Sequence, residues 1–407
     1  MKKFVLWGIG FLILAVAILF FSFRDRIDRA STVATLFTGA EQYENFNRMD
    51  EMFPSATLPP ATVPFQFPDG DPITLPDSFD YAGQTISTET FLAETDTSAL
   101  LVLKDGAVVY EDYWLTGGRQ ETWLSMSVAK SFVSALMGIA VSEGHVQSIE
   151  DPVTDYAPEL AGSAYDGVRI KDVLQMSSGA RWNEDYNDPE SDINRFGRIF
   201  AIGGSLNTFA ATLTQDTEPG TFNRYNSTDT QVLGLVLVNA TGSSITDYMT
   251  EKLWHPMGAE NEAHWLLDGD GMEMAFGGFN ATARDYARIG ELYRQNGALN
   301  GQQIVPADWV AASVRPDGPH LEPGKDNPAS DFELGYGYQW WIPEGDDGEF
   351  SAIGVYNQFV FVNPAQDLVI VKLSAFSDYG VSLEDSSYRE IETIEFFRAI
   401  GDAVQSR

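Results

Sequence analysis

Two clusters of β-prone sequence stand at opposite ends of the body of this 407-residue chain, with a long stretch of different pattern between them. The first, LLVLKDGAVVYEDYW from Leu100 to Trp114, has two apolar runs around Lys104-Asp105-Gly106, a hairpin signal. The second begins at Gly335 and holds GYGYQWWIP, SAIGVYNQFVFVNP and DLVIVKLSAF. From Ile149 to about Leu299 the pattern is mostly helical, broken by loops rich in Gly, Pro and Asn. Isolated strands cannot satisfy their backbone or bury their apolar faces. The two clusters are therefore expected to share one sheet, with a helical lobe inserted between them. A helix is expected over SMSVAKSFVSALMGIAVSEG, capped by Gly144, and another over the amphipathic segment from Ser382 to Arg407.

The N-terminus carries a separate constraint. Met1-Lys2-Lys3 precedes an uninterrupted apolar run from Phe4 to Phe23, closed by Arg24. As a helix that run is about 30 Å long, the thickness of a bilayer core. It ends without the small-x-small site of a cleaved leader, so residues 1–30 read as an uncleaved signal anchor, an N-terminal transmembrane helix; a cleaved signal peptide is the alternative. Lys2 and Lys3 on one side nearly balance Arg24, Arg26 and Arg29 on the other, so charge alone does not orient it. Residues 31–95, rich in Pro, Thr and Asp, read as a tether and extended lead-in, and the folded body is expected over 96–407.

With 59 acidic against 25 basic residues the net charge is −34, which leaves no basic stripe for nucleic acid and counts against docking on anionic lipid. The chain has no cysteine, which removes disulfides, thiol nucleophiles and thiolate metal sites. Its four histidines, His145, His255, His264 and His320, form no HExxH pattern, and no G-x-S-x-G elbow is present. A hydrolase built on this chain needs a base other than histidine.

Ser127-Val128-Ala129-Lys130 supplies one. Positions i and i+3 share a helix face, so the serine hydroxyl and the lysine amine lie side by side. A serine needs an adjacent base to attack at neutral pH, and a lysine serves once burial lowers its pKa. Near a helix start the Ser127 N–H is also left free as an oxyanion donor. The tetrad is short enough to arise by chance, and a helix-start serine beside a solvated lysine is the alternative.

Its context is more specific. The segments LSMSVAKSFVSALMGIAVSEG, DPVTDYAPELAGSAYDG and IKDVLQMSSG, in that order, resemble the serine hydrolases of the class C β-lactamase-like, penicillin-recognising superfamily. Within it the chain is most similar to the 6-aminohexanoate-dimer hydrolase and carboxylesterase group, from about Leu100 to Phe376. The resemblance implies an α/β fold, with an antiparallel central sheet flanked by helices and a helical lobe at about 149–299. It implies Ser127 as acylated nucleophile, Lys130 as its base, and Tyr225 in RYNSTDTQVLG as proton relay. The family's Tyr-x-Asn reads Tyr225-Asn226-Ser227 here, so the asparagine's task is expected to pass to Ser227. The family's Lys-Thr-Gly strand matches Ala352-Ile353-Gly354, followed by Val355. Gly354 is kept for close backbone approach, and the Val355 N–H joins that of Ser127 in the oxyanion hole. The lysine that meets the carboxylate of β-lactams and D-Ala-D-Ala peptides is absent.

Further segments match the same group. Tyr186, in NEDYNDPESD, is implied as a donor to the substrate's amide or ester, with a surface-turn role as the alternative. Tyr356 borders the substrate, and Asn357 replaces a glycine of the Gly-x-x-Gly-Gln pattern and is expected to narrow or polarise the pocket mouth. Gly277 and Gly278 allow close approach, while Arg284 and Asp285 read as an ion pair or cap. Tyr336, Tyr338, Trp340 and Trp341 put one face in the core and one toward the cleft. The reading is a serine hydrolase of esters or linear amides, needing no metal or organic cofactor, with its body in the periplasm or outside the cell. That orientation rests on the resemblance. A β-lactamase or D-Ala-D-Ala peptidase, a non-catalytic receptor and a transesterase are the alternatives.

Overall fold

The apolar strands from the two ends of the body meet in one seven-stranded sheet in the computed structural model, which describes residues 36–39, 41–381 and 388–405. Its order is Gly335–Tyr336, Trp341–Ile342, Phe350–Gly354, Gln358–Asn363, Leu368–Ser374, Thr97–Lys104 and Ala107–Tyr113, and every neighbouring pair is antiparallel. The join lies between Leu368–Ser374 and Thr97–Lys104, with Ile370 opposite Val102 and Lys372 opposite Leu100. Both faces are covered over the inner strands, so Thr97–Lys104, Gln358–Asn363 and Leu368–Ser374 are buried at nearly every position rather than at alternate ones. Val102, Phe359, Phe361 and Ile370 pack with Phe396, Phe397 and Ile400 of the C-terminal helix Glu390–Gln405. Leu101, Leu103, Val360 and Val369 face the main core on the other side. There the helix Ala283–Arg294 runs so close that a Cβ on Gly290 would lie 2.6 Å from Val369.

The expected helical lobe includes Asp192–Ala201, Leu206–Ala210 and Ser227–Thr241. The last packs against the helix Ala129–Ser142. The segment expected as tether and extended lead-in carries, from residue 36 on, short helices at Gln42–Asn45 and Met49–Met52 and a strand at Ser55–Leu58. That strand pairs with Ala263–Leu266, which continues through Phe279–Ala281 to Trp123–Leu124. Burial of Phe46, Met49, Phe53 and Leu58 explains the difference: apolar residues scattered among the prolines and threonines find a core to enter. The expected anchor, Phe4–Phe23, lies outside the described residues. Among those described, no helix is long and apolar enough to cross a membrane.

Arg284 and Asp285 both form ion pairs, though not with each other. Arg284 reaches across to Glu111 at 2.5 Å, and Asp285 pairs with buried Arg288 at 3.0 Å. Asp285 also accepts from the amides of Glu260 and Asn261. Arg288 donates to the carbonyls of Gly258 and Phe65 and lies over the Phe67 ring, so one guanidinium ties the lead-in to the body. Replacing Arg288 with Met leaves Asp285 buried and uncompensated. The expected loss is about 3–5 kcal/mol of unfolding free energy, measured by denaturant titration.

Candidate active site

The strand Trp123–Leu124 runs into a tight 3₁₀ turn, Met126–Val128, and then into the helix Ala129–Ser142. Met126 sits at φ +48°, a left-handed conformation uncommon outside glycine. Ser127 follows it, nine-tenths buried, in the first turn, where a backbone N–H has no helical carbonyl to bond. The end of the strand Phe350–Gly354 lies directly against this turn. A Cβ on Gly354 would sit 2.6 Å from the Ser125 carbonyl oxygen and 3.0 Å from the Ser127 nitrogen, so only glycine fits.

Lys130 is fully buried one helical step on. Its Nζ contacts Ser127 Oγ at 2.9 Å, Ser227 Oγ at 3.3 Å and the Phe276 carbonyl at 2.7 Å, and lies 5.0 Å from the centre of the Tyr225 ring. Burial lowers its pKa to about 7, against an opposing pull from Glu184. As a neutral amine it can donate to the Phe276 carbonyl and to Ser227 while turning its lone pair on Ser127. Tyr225 is buried too. Desolvation first and the Glu184 charge second hold its phenol well above the usual range, and a hydrogen bond with Ser127 opposes them.

Ser227 faces the site, between Lys130 and Glu184, whose carboxylate accepts from the Ser227 hydroxyl at 2.7 Å and its amide at 3.2 Å. Asn226 turns the other way: it caps the helix Ser227–Thr241 and donates to Asp229 at 2.8 Å. Burial pushes the Asp229 carboxyl up to about 8, and Tyr165 and Ser178 also donate to it. The start of that helix, and Tyr225 just before it, are thereby fixed. Tyr186 is half-buried beside Ser127 and donates to Glu184 at 2.8 Å.

Nothing in the sequence marks Glu184, although it lies two residues before Tyr186 in the segment NEDYNDPESD. No spacing rule links it to Ser227, and only the fold joins them. The apolar side chains of the lead-in that border the site, Met49 and Phe53 among them, were equally invisible.

Past Gly354 the chain turns through Val355, Tyr356 and Asn357, the last two at φ +65° and +70°. Asn357 does not reach the pocket mouth. It is buried, accepts from Lys372 Nζ at 2.6 Å and donates to Thr393 of the C-terminal helix at 3.0 Å. Gln358 braces the turn from inside, bonding to the carbonyls of Val355 and Tyr356. Tyr356 packs on Phe37, with ring centres 5.0 Å apart. Of the aromatic strand, Trp341 stacks on Tyr225 at 5.1 Å and borders the cleft, while Trp340 and Tyr338 join the main core. Among the described residues, no three histidine or acidic side chains converge as a metal site requires.

A model of the beta-lactamase family matches residues 89–392. The chain belongs to the beta-lactamase family. The 6-aminohexanoate-dimer hydrolase of Paenarthrobacter ureafaciens is 34% identical over 344 residues, covering 82% of this chain and 85% of that protein. Among solved structures, a candidate 6-aminohexanoate-dimer hydrolase from Bacillus anthracis superposes with a TM-score of 0.81 at 23% identity, covering 91% of this chain and 96% of that one. The hydrolase EstCE1, with promiscuous acyltransferase activity, reaches 0.60 at 17%, covering 78% and 96%. This family member is an enzyme of the serine hydrolase type.

A lysine accepts a proton only when neutral, so with Lys130 as the base kcat/KM is expected to rise with pH through a limb near 7. The Glu184 charge holds the Lys130 pKa up, so Glu184→Gln is expected to move that limb to lower pH. An unshifted limb in a pH–rate profile would remove Lys130 as its origin.

Proposed function

We propose that this enzyme cleaves an ester or a linear amide through an acyl-enzyme on Ser127. The observation that carries the reading is the buried Lys130 amine, 2.9 Å from the Ser127 hydroxyl, with a pKa brought down to about 7. Ser127 Oγ attacks the carbonyl carbon as Lys130 takes its proton. The oxyanion forms between the N–H groups of Ser127 and Val355, in a buried site where fixed dipoles act strongly. Tyr225 relays the proton to the departing nitrogen or oxygen, and Tyr186 steadies the bond being broken. Water then attacks the acyl-enzyme, activated by the same amine, and releases the acid.

The absence of a lysine from the strand that ends at Gly354 favours this over β-lactam or D-Ala-D-Ala chemistry. Ile353 borders the cleft and offers no charge to a substrate carboxylate. Ser127→Ala is expected to abolish both fluorophosphonate labelling and p-nitrophenyl ester hydrolysis. Wild type is expected to turn over esters far faster than nitrocefin, and the reverse order would favour a β-lactamase.

The run Phe4–Phe23 supports a further part of the proposal: a single-pass inner-membrane anchor that leaves the acidic body outside the cytoplasm. Protease added to intact spheroplasts is then expected to digest the body, whereas protection until lysis would place it inside.

A further inference from the structure

Ser127 stands between two cavities of opposite character. One, of about 360 Å³, has a floor of Tyr225 and Trp341 and a rim that includes Asp185, Asp331, Glu333 and Glu390. No lysine, arginine or histidine is among the described residues lining it. Asp331 is shared with Arg224 at 3.3 Å, and Glu390 accepts from Tyr379 at 2.7 Å, so part of that charge is committed. The other cavity, of about 610 Å³, is walled by Met49, Phe53, Met126, Phe200, Met274 and Phe276. Among the described residues lining it, the one charged side chain is Arg198, half exposed and bonded to the Pro189 carbonyl. Val355 and Tyr186 border both cavities.

Tyr225 tells the two apart. It lines the acidic cavity and not the apolar one, so the group that receives its proton departs on the acidic side. The acyl group must then occupy the apolar cavity, where three methionines give an adaptable wall. A dimer of 6-aminohexanoate carries its charges the other way round: an ammonium at the acyl end and a carboxylate at the leaving end.

Resting on the serine hydrolase reading, we propose that the substrates join a hydrocarbon acyl chain to a leaving group that is cationic or uncharged: acyl esters of amino alcohols, or N-acyl amines. In the first step the Ser127 Oγ–carbon bond forms and the carbon–oxygen or carbon–nitrogen bond breaks. The serine proton passes through Lys130 and Tyr225 to the leaving alcohol or amine. Water then supplies hydroxide to the acyl carbon and a proton back to Ser127, releasing the fatty acid.

The test uses the full-length protein in detergent. With p-nitrophenyl esters from acetate to octanoate, kcat/KM is expected to climb with chain length, by up to about fourfold per methylene. Octanoylcholine is expected to exceed octanoylglycolate by at least about tenfold at low ionic strength, with the gap narrowing as salt is added. Gly197 lines the apolar cavity, and a Cβ there meets nothing within 4 Å, so Gly197→Leu adds bulk at the cavity wall from a position with open space. That variant is expected to lower the octanoate-to-acetate ratio about tenfold, a readout that detergent partitioning does not move. Preference for acetate, an unchanged ratio in Gly197→Leu, or equal use of the choline and glycolate esters would overturn the assignment while leaving the hydrolase standing. Inertness to every ester with no fluorophosphonate labelling would overturn both.

Discussion

The site depends on keeping one lysine dry. In water the Lys130 amine would hold its proton far above neutrality and could not accept one from serine. Burial brings it down, yet burial beside a free carboxylate would send it back up. Glu184 is the nearby carboxylate, and its oxygens are occupied: the Ser227 hydroxyl and amide, the Tyr186 hydroxyl and the Trp182 indole all donate to it. It influences Lys130 at a distance instead of pairing with it. The balance between desolvation and that remote charge sets the amine near neutrality.

A second lysine shows the same physics put to another use. Lys372 is as deeply buried, and its pKa is held well below the ordinary range by burial first and by Arg389 next. It borders neither cavity. Its amine bonds to Asn357 at 2.6 Å and Ser374 at 2.5 Å, and Asn357 bonds on to Thr393. The turn that carries the Val355 amide is therefore pinned to the sheet beneath it and to the C-terminal helix. Gly354 fixes the distance of approach, and this clamp fixes the direction.

What the sequence revealed and what it hid divide along a physical line. Chemistry borne on one helical turn, Ser127 with Lys130, could be read because i and i+3 meet in any helix. The shared sheet could be read because neither cluster of β-prone runs could satisfy its backbone and cover its apolar faces alone. Glu184 could not, because its link to Ser227 spans 43 residues and depends on how a loop folds over a helix start. Asn357 stood in the right segment but was expected to face the wrong way: a left-handed turn reverses where a side chain points, and sequence does not show that reversal. The lead-in looked extended because prolines mask periodicity, while its phenylalanines and methionines were already committed to the core and the apolar cavity.

The sheet's join carries a consequence for how the enzyme comes into being. The turn that carries the Val355 amide stands on Phe350–Gly354 and Gln358–Asn363, which reach the N-terminal hairpin only through Leu368–Ser374. Ser127 emerges from the ribosome long before any of these. While the chain is being made, Ser127 and Lys130 can exist without the strand that packs against their turn. The site is therefore complete only when the last strand closes the sheet, and a chain stopped short of it carries Ser127 and Lys130 without Gly354 and Val355 set beside them.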